Sequence, residues 1–396
     1  MTTAIEASAE LFPWSDPEFQ QNPYPWYDRA RAAGPVHQTD EHTYVLTRYD
    51  DVMHYAKLPV MSIREADWVN PNPWEAFENT VLSKDPPEHA KSRRLFSRWF
   101  TPKLIKEWIE YTRESTEEVL SSYKRGTPID AHWDFGVVPT HITMARVLDL
   151  PAGDPEPLFW ALWDAMLIQA TDPAPGTREV SVKGLNYMFN RTEELLREKI
   201  EKPGNGLADA FIQAYHDGTI TWREVLENVV LFYMSGAPNP AVLIGAGFEV
   251  FAQHPEIMRE YRDKPEIRER VVNEIARLTP VELILTRFPT EDIEIHGVKI
   301  PAGSRIKFPV GAVNRDPDAF PNPDEFDYNR PLDASRNLTF GLGTHACAGQ
   351  AIARAEVTEI LTIISERFES VEMLAEPELV RTDRLVAYKT LPVALR

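Results

Sequence analysis

Residues 340–349 have the sequence FGLGTHACAG, which carries more information about this chain than any other stretch. Glycines at positions 341, 343 and 349 allow a tight turn and a close approach of the backbone to a ligand. Cys347 is the single cysteine among 396 residues, so neither an internal disulfide nor a zinc cluster of cysteines is expected. The chemistry of the chain therefore depends on what this one thiol does.

The residues after Cys347 predict an amphipathic helix, because apolar side chains recur there at helical spacing. They are Ala353, Val357, Ile360, Leu361, Ile364 and Phe368. A helix N-terminus offers unpaired N–H groups and the positive end of the helix dipole, and both stabilise a thiolate. A thiolate placed there is able to ligate iron, whose potential is tuned by hydrogen bonds to the sulfur.

Two other interpretations of Cys347 are open from the residues alone. The first is a buried structural cysteine in a glycine-rich turn, which is the usual role of an arbitrary cysteine. The second is a cysteine nucleophile assisted by His345, two residues away. Side chains at that spacing rarely face each other in a way that serves catalysis, which disfavours the nucleophile.

The order of residues in this stretch resembles the haem-binding signature of the cytochrome P450 family, Phe-Gly-x-Gly-x-His-x-Cys-x-Gly. Chance would produce these six fixed residues on the order of once in 10⁸ start positions. The resemblance implies that Cys347 is the axial ligand of the iron of haem b, with Phe340 and Gly349 beside the cofactor. It also implies a single domain over residues 1–396. The expected fold is mainly α-helical with small β-sheets, with the haem between a central long helix and the helix after the cysteine loop.

A second motif of the same family, Glu-x-x-Arg on a helix, is matched by Glu274 and Arg277. Taken alone, such a pair is a common surface contact between residues one helical turn apart. Its distance before the cysteine loop resembles that of the family's buried structural pair. The resemblance implies that Arg330, in the irregular segment before the loop, is the third member.

Residues 85–94 (DPPEHAKSRR) resemble the family's helix that contacts the haem carboxylates. His89 and Arg93 are four residues apart, so they lie on one face of that helix. The resemblance implies that both pair with haem propionates, together with Arg287 and His345. Arginine suits this task because its fork of N–H groups matches a carboxylate.

The chain departs from the family at residues 235–240, SGAPNP, in the central helix expected from Thr221 to about Gln253. Where the family has an acid followed by an alcohol, this chain has Pro238 and Asn239. Each proline removes a helical hydrogen bond and kinks the helix. Asn239 donates and accepts hydrogen bonds but does not titrate, so protons are expected to move through water, Asn239 and the backbone. Ser235 and Gly236 complete this candidate catalytic group.

The resemblance implies a monooxygenase that inserts one oxygen atom from O₂ into a small, apolar or aromatic substrate. Electrons would come from NAD(P)H through a separate ferredoxin or ferredoxin reductase, because the chain has no flavin or iron–sulfur motif. A peroxygenase and a haem sensor are the rival functions, although no output domain is left over for a sensor.

Candidate substrate contacts follow from the family's usual pocket regions and are largely aromatic or apolar. They are Trp74, Phe77, Trp163, Leu167, Ala237, Leu283 and Tyr388. The missing acid–alcohol pair and the proline beyond it resemble bacterial O-demethylases of lignin-derived methoxyphenols. O-demethylation of a methoxyphenol is therefore one hypothesis, and hydroxylation of a terpenoid or secondary metabolite is the alternative.

The charge of the chain limits its partners, since 61 acidic and 42 basic residues give a net charge of −19. An acidic protein is a poor ligand for nucleic acid or for anionic membranes. We find neither a basic leader followed by an apolar stretch nor a run of 18 apolar residues, so no transmembrane helix is expected. A cytoplasmic, monomeric protein is the resulting expectation.

Overall fold

A computed structural model describes residues 4–66, 68–69, 73–332 and 336–396, apart from the side chains of Ala4, Pro73 and Trp74. The chain is mainly α-helical with small β-sheets, which confirms the expected fold class. The sequence also predicts the hairpin at residues 292–303 and the long irregular segment between Asn314 and Pro331, and both are present.

The helices occupy most of the chain up to residue 278, and two more follow among the described residues, a short one before the cysteine loop and a long one after it. They are α1 (Ala4–Ala9), α2 (Pro17–Gln21), α3 (Tyr24–Ala33), α4 (Tyr49–Tyr55), α5 (Glu88–Phe96), α6 (Pro102–Ser122), α7 (Val138–Leu148), α8 (Pro155–Met166), α9 (Thr177–Glu201), α10 (Leu207–His216), α11 (Trp222–Gly236), α12 (Pro238–Gln253), α13 (Pro255–Asp263), α14 (Arg268–Leu278), α15 (Val310–Asn314) and α16 (Gln350–Arg367). A π-helical segment, Ala131–Val137, runs directly into α7.

The strands are short and form two sheets and two hairpins. They are β1 (His37–Gln38), β2 (Thr43–Val45), β3 (Met61–Ser62), β4 (Pro128–Asp130), β5 (Ile284–Pro289), β6 (Ile293–Ile295), β7 (Val298–Ile300), β8 (Arg305–Pro309), β9 (Val371–Met373), β10 (Glu378–Arg381), β11 (Val386–Thr390) and β12 (Pro392–Leu395). One sheet has the order β1-β2-β8-β5-β3 and the other β4-β12-β9. Only β2 and β8 pair in parallel among the strands described.

Helices begin where capping residues and prolines predict them. Thr221 caps α11 through a reciprocal bond with Glu224, and Thr101 caps α6. The prolines in residues 151–157 predict a break between helices there. This prediction is wrong in extent, because Pro155 lies at the first position of α8. A proline is tolerated there since its missing N–H would have no partner within the helix.

The central helix is interrupted at Ala237, between α11 and α12, directly before Pro238. Together the two helices are long and apolar enough to cross a membrane, but 78% of the most apolar window is buried within the protein. Apolar side chains of α11 pack in one large core cluster, and those of α12 pack in a second that also contains α16. The central helix is therefore the shared wall of both clusters.

Glu274, Arg277 and Arg330 form a buried ion network beneath the irregular segment. Arg277 binds both carboxylate oxygens of Glu274, at 2.9 and 2.7 Å, and both side chains are at most 1% exposed. Arg330 Nε donates to Glu274 Oε1 at 3.1 Å. The remaining guanidinium N–H groups donate to the backbone oxygens of Asn314, Pro321, Asn322, Pro323 and Glu325.

Removing one partner of this network should leave a buried charge unpaired. We expect Arg277→Met to lower the free energy of unfolding by about 3–5 kcal/mol, the usual effect of breaking a buried ion pair. Guanidinium unfolding followed by circular dichroism measures this. Arg191→Met breaks an exposed pair with Glu194 and should cost less than about 1 kcal/mol. Equal losses in the two variants would contradict a special role for the buried network.

Candidate active site around Cys347

The cysteine loop is shaped by glycines at two positions where other residues would be strained. Gly341 and Gly343 have φ angles of 68° and 66°, in the left-handed region. The turn is closed by the Cys347 N–H, which donates to the carbonyl of Phe340 at 2.8 Å. Helix α16 begins at Gln350, three residues after the cysteine, so the thiol lies at a helix N-terminus.

The loop is also anchored to α14 and α15, directly behind it. Asn314 bridges the elements: its Nδ2 donates to Thr339 Oγ1 at 3.0 Å, and its Oδ1 accepts from the Leu338 N–H at 2.7 Å. Thr339 Oγ1 in turn donates to the carbonyl of Ala276 at 2.6 Å. Since Arg277 binds the carbonyl of Asn314, the ion network and the cysteine loop form one connected structure.

The Cys347 side chain faces a space inside the molecule. Its surface is accessible, yet the surrounding protein raises the pKa of the thiol through desolvation. Together, the accessible surface and the desolvation indicate that the sulfur lines an internal hollow and not the outer surface. The backbone N–H groups of Gly349 and Gln350, together with Arg93, lower the pKa of the thiol against the effect of burial. These groups favour the thiolate that a metal ligand requires.

Four basic side chains from three parts of the chain converge near the thiol: His89 and Arg93 of α5, Arg287 of β5, and His345 of the cysteine loop. The rings of His89 and His345 lie 4.3 Å apart between centroids. Burial lowers the pKa of each group, and repulsion from neighbouring basic groups lowers the pKa of the two histidines further, that of His345 to about 4.

This cluster is short of acceptors. The Nε2 atoms of both histidines are buried without a hydrogen-bond partner, and no described carboxylate lies within 4 Å of Arg93 or Arg287 in an ion pair. Asp85 is the acid whose charge acts on His89, Arg287 and His345, and it accepts hydrogen bonds from Ser62 and from the N–H of Ile63. Buried cations of this kind are normally paired, so the cluster fits a ligand that carries carboxylates.

The residues therefore fit a haem group. Cys347 offers a thiolate for the iron, and the cluster of His89, Arg93, Arg287 and His345 offers donors for two propionates. Phe340 is partly buried under Arg354, whose guanidinium carbon lies 4.8 Å from the ring centroid. Gly349 lies beside the sulfur, since a Cβ built there would be in ordinary van der Waals contact with Cys347 Sγ, at 4.0 Å.

Ser235 and Asn239 lie on one face of the central helix at its interruption. Both are exposed, whereas Met234, Ala237 and Pro240 around them are buried. Because this helix runs through the core, their exposed surface also faces an internal space. Pro238 and Pro240 supply no N–H, so the carbonyls one turn earlier, of Met234 and Gly236, lose their helical donors.

The other face of the interruption is packed against α7. A side chain at Gly236 would bring its Cβ within 2.0 Å of Met144 Cε, so this glycine permits close packing. The Thr140 hydroxyl lies 2.8 Å from the carbonyl of Ala237 and 2.8 Å from that of Gly136. Thr140 thus caps the break. No sequence pattern predicts this contact, because Thr140 and Ala237 are 97 residues apart.

The structure separates the predicted substrate residues instead of gathering them. Phe77 packs on Phe189 in the core of α9 and α11, while Trp163 belongs to the core around α12. Tyr388 is 3% exposed, and its hydroxyl donates to Glu249. Phe77 and Tyr388 are thus core side chains rather than pocket walls, because each is enclosed by partners of its own.

Of the remaining four predicted substrate residues, three lie in different surroundings and the fourth has a side chain that is not described. Ala237 lines a cavity of about 20 Å³ on the packed side of the helix break, away from Ser235 and Asn239. Leu283 packs with the N-terminal aromatic cluster, and Leu167 is half-buried after α8. The prediction for Trp74 concerns a side chain outside the described residues.

Comparisons with known proteins agree on one family. The family model described as cytochrome P450 matches residues 178–393. Cytochrome P450 CYP107DY1 of Priestia megaterium is 30% identical over 81% of this chain and 78% of its own length. The polyketide biosynthesis cytochrome P450 PksS of Bacillus subtilis is 25% identical over 96% and 97% of the two chains. The crystal structure of P450BioI with a fatty-acid-ligated acyl carrier protein superposes with a TM-score of 0.87 at 23% identity, covering 96% of this chain and 100% of that one.

We expect Arg287→Met to weaken the retention of haem, because one donor to a buried carboxylate is lost. Truncating one partner of a buried charge pair costs roughly 2–5 kcal/mol, which corresponds to at least a tenfold faster loss. Transfer of haem to apomyoglobin, followed by absorbance, measures the rate. Arg113→Met, which removes a half-exposed arginine far along the chain on α6, is the control. Equal transfer rates for the two variants would remove Arg287 from the propionate site.

Proposed function

The chain belongs to the cytochrome P450 family of monooxygenases, and on that premise we propose that it inserts one oxygen atom from O₂ into a small apolar substrate. The observation that carries this proposal is the Cys347 thiol. It faces an interior space at the N-terminus of α16, beside a cluster of unpaired basic groups. A structural cysteine needs none of these surroundings. A sensor function has no support from a further output domain among the described residues.

Each part of the site has a task in the proposed reaction. Bound haem supplies the oxygen chemistry. Cys347 holds the metal as a thiolate, assisted by the N–H groups of Gly349 and Gln350. The four basic side chains hold the carboxylates and fix the orientation of the group. Thiolate donation is the property that favours O–O cleavage over simple oxygen binding.

Proton delivery is proposed to proceed without an ionising side chain. The Ser235 hydroxyl both donates and accepts, and the Asn239 carboxamide does the same through separate atoms. The carbonyls freed by the two prolines offer further acceptors for water. Their common exposed face supports a relay through water, Ser235 Oγ and Asn239, with Gly236 contributing its carbonyl. Direct use of peroxide, which needs no such relay, is the competing route.

The electrons are proposed to come from NAD(P)H through a ferredoxin or its reductase. Members of the family normally use such separate partners. The net negative charge of the chain disfavours binding to nucleic acid, and the one long apolar helix found among the described residues is mostly buried in the core. We therefore propose a cytoplasmic enzyme that meets its redox partner in solution.

The substrate class has two candidates. O-demethylation of a methoxyphenol is supported by the resemblance of residues 235–240, in which an aromatic substrate would lose formaldehyde after hydroxylation of its methyl carbon. None of the three proteins compared above carries a name that points to this reaction. The name of PksS places it in polyketide biosynthesis, which favours hydroxylation of a secondary metabolite.

Titration of the ferric, haem-loaded protein should separate these classes. The panel contains methoxyphenols, methoxybenzoates, monoterpenes, macrolactones and fatty acids, and the Soret band reports displacement of water from the iron. Demethylation predicts a tight spin-state shift with methoxyphenols alone and formaldehyde on turnover. A shift confined to macrolactones or terpenes would discard demethylation and support hydroxylation. A protein without the spectrum of a haem thiolate would overturn the proposed function.

Asn239→Ala should uncouple electron use from product formation, because the proposed relay loses its carboxamide. With the substrate that gives the largest spin-state shift, we expect several-fold more hydrogen peroxide per O₂ consumed. The control is Asn205→Ala, an exposed residue in the loop before α10. Coupling that matches the wild type would eliminate Asn239 from the relay.

A further inference from the structure

Residues 76–84 connect the region of Trp74 to α5, which carries His89 and Arg93. This segment, which we call the strap, is bound to the first two turns of α11 by charged side chains. Glu227 is 0% exposed, and its carboxylate accepts from the Asn79 N–H at 3.0 Å and from Asn79 Nδ2 at 3.1 Å. Both ends of the Asn79 residue are thus fixed by one acid.

Two further contacts of α11 extend this attachment. Arg223 Nε donates to Glu227 at 2.6 Å, and Arg223 Nη2 donates to the carbonyl of Ala76 at 3.2 Å. Lys84, at the other end of the strap, donates to Glu224 at 3.3 Å. The strap is therefore held at its beginning, middle and end by the same helix.

Burying the carboxylate of Glu227 is unfavourable in free energy, because the charged group loses its contact with water. A buried carboxylate is tolerated only when donors satisfy it, and here three are supplied, two of them by Asn79. Glu227 precedes Ser235 by eight residues on one helix, a rise of roughly 12 Å at about 1.5 Å per residue. The carboxylate consequently fixes where the strap lies relative to the exposed face of Ser235 and Asn239.

The strap leaves one large apolar side chain uncovered. Leu82 is 50% exposed, although its neighbour Val81 is buried and Phe77 is 1% exposed. Leu82 also lies seven residues before His89, at the entrance to the helix of the basic cluster. We take this uncovered leucine, held between α11 and α5, as the side chain through which the strap would meet a ligand.

We propose that Glu227 is a positioning residue that sets the size of ligand accepted above the iron, by fixing the strap and with it Leu82. This inference rests on the proposed haem-thiolate function. It assigns no chemical step to Glu227, which acts through Asn79. Its prediction is selective: small iron ligands should be indifferent to Glu227, and larger ones should depend on it.

The test uses the haem-loaded protein with imidazole and 4-phenylimidazole as probes. Both ligate iron through a ring nitrogen, but only the second extends a phenyl group toward the walls of the pocket. In Glu227→Gln the Kd of 4-phenylimidazole should change about tenfold, as expected for loss of a charge-assisted contact, while that of imidazole stays within about twofold. Glu194→Gln, which removes an exposed acid of α9, is the matched control and should change neither.

Three additional variants keep the test decisive if Glu227→Gln is unstable. Asn79→Ala removes the same bonds from the strap side and should give the same selective change. Leu82→Ala should also alter 4-phenylimidazole binding without affecting imidazole. The double variant Glu227→Gln with Asn79→Asp exchanges the acid and the amide between the two positions. It should restore binding, which a loss of general stability would not.

Equal effects on both probes, or no effect of Leu82→Ala, would overturn the inference and leave the haem-thiolate assignment intact. Failure of the double variant to recover 4-phenylimidazole binding would also overturn it. A wild-type protein that takes up haem without giving the spectrum of a haem thiolate would instead overturn the proposed function, and this inference with it.

Discussion

The bidentate pair between Glu274 and Arg277 is the interaction on which the rest of the site depends. Two charges with almost no solvent contact are stable here because the polar atoms of both side chains are hydrogen-bonded. Satisfying Arg277 requires the carbonyls of Asn314, Pro323 and Glu325, so the irregular segment is folded around a charge. Asn314 then passes this constraint to Leu338 and Thr339, at the start of the cysteine loop. Through these hydrogen bonds, the position of the Cys347 thiol depends on the ion pair between Glu274 and Arg277.

The sequence could predict most of this framework, since its constraints are local. The turn at Gly341 and Gly343, the helix after Cys347, and the start of α5 after Pro86 and Pro87 follow from glycine and proline chemistry and from apolar periodicity. The family resemblance supplied Arg277, which binds carbonyls far away in the chain, and the predicted propionate contacts Arg287 and His89. What could not be predicted are contacts without a short motif, such as Thr140 with Ala237 and Glu227 with Asn79.

The predicted substrate residues show why side-chain type alone does not identify the walls of a pocket. Phe77 and Tyr388 have the aromatic character of ligand contacts, but large aromatic side chains equally fill cores. Which role applies depends on what surrounds them, and Tyr388 is enclosed by His132 and Glu249 from two other elements. Conversely, no sequence pattern distinguishes Leu82, which the fold leaves exposed. Side-chain type was therefore a poor guide to which side chains the fold leaves uncovered.

The way in which Arg277 and Arg330 hold the irregular segment affects how this protein can evolve. Both guanidinium groups grip residues 321–325 by main-chain carbonyls, which every amino acid possesses. Most side chains of that stretch are consequently less constrained than its backbone, although the φ of 49° at Asn322 favours asparagine or glycine there. A surface segment linked to the cysteine loop can thus change much of its sequence while the geometry beneath it is kept.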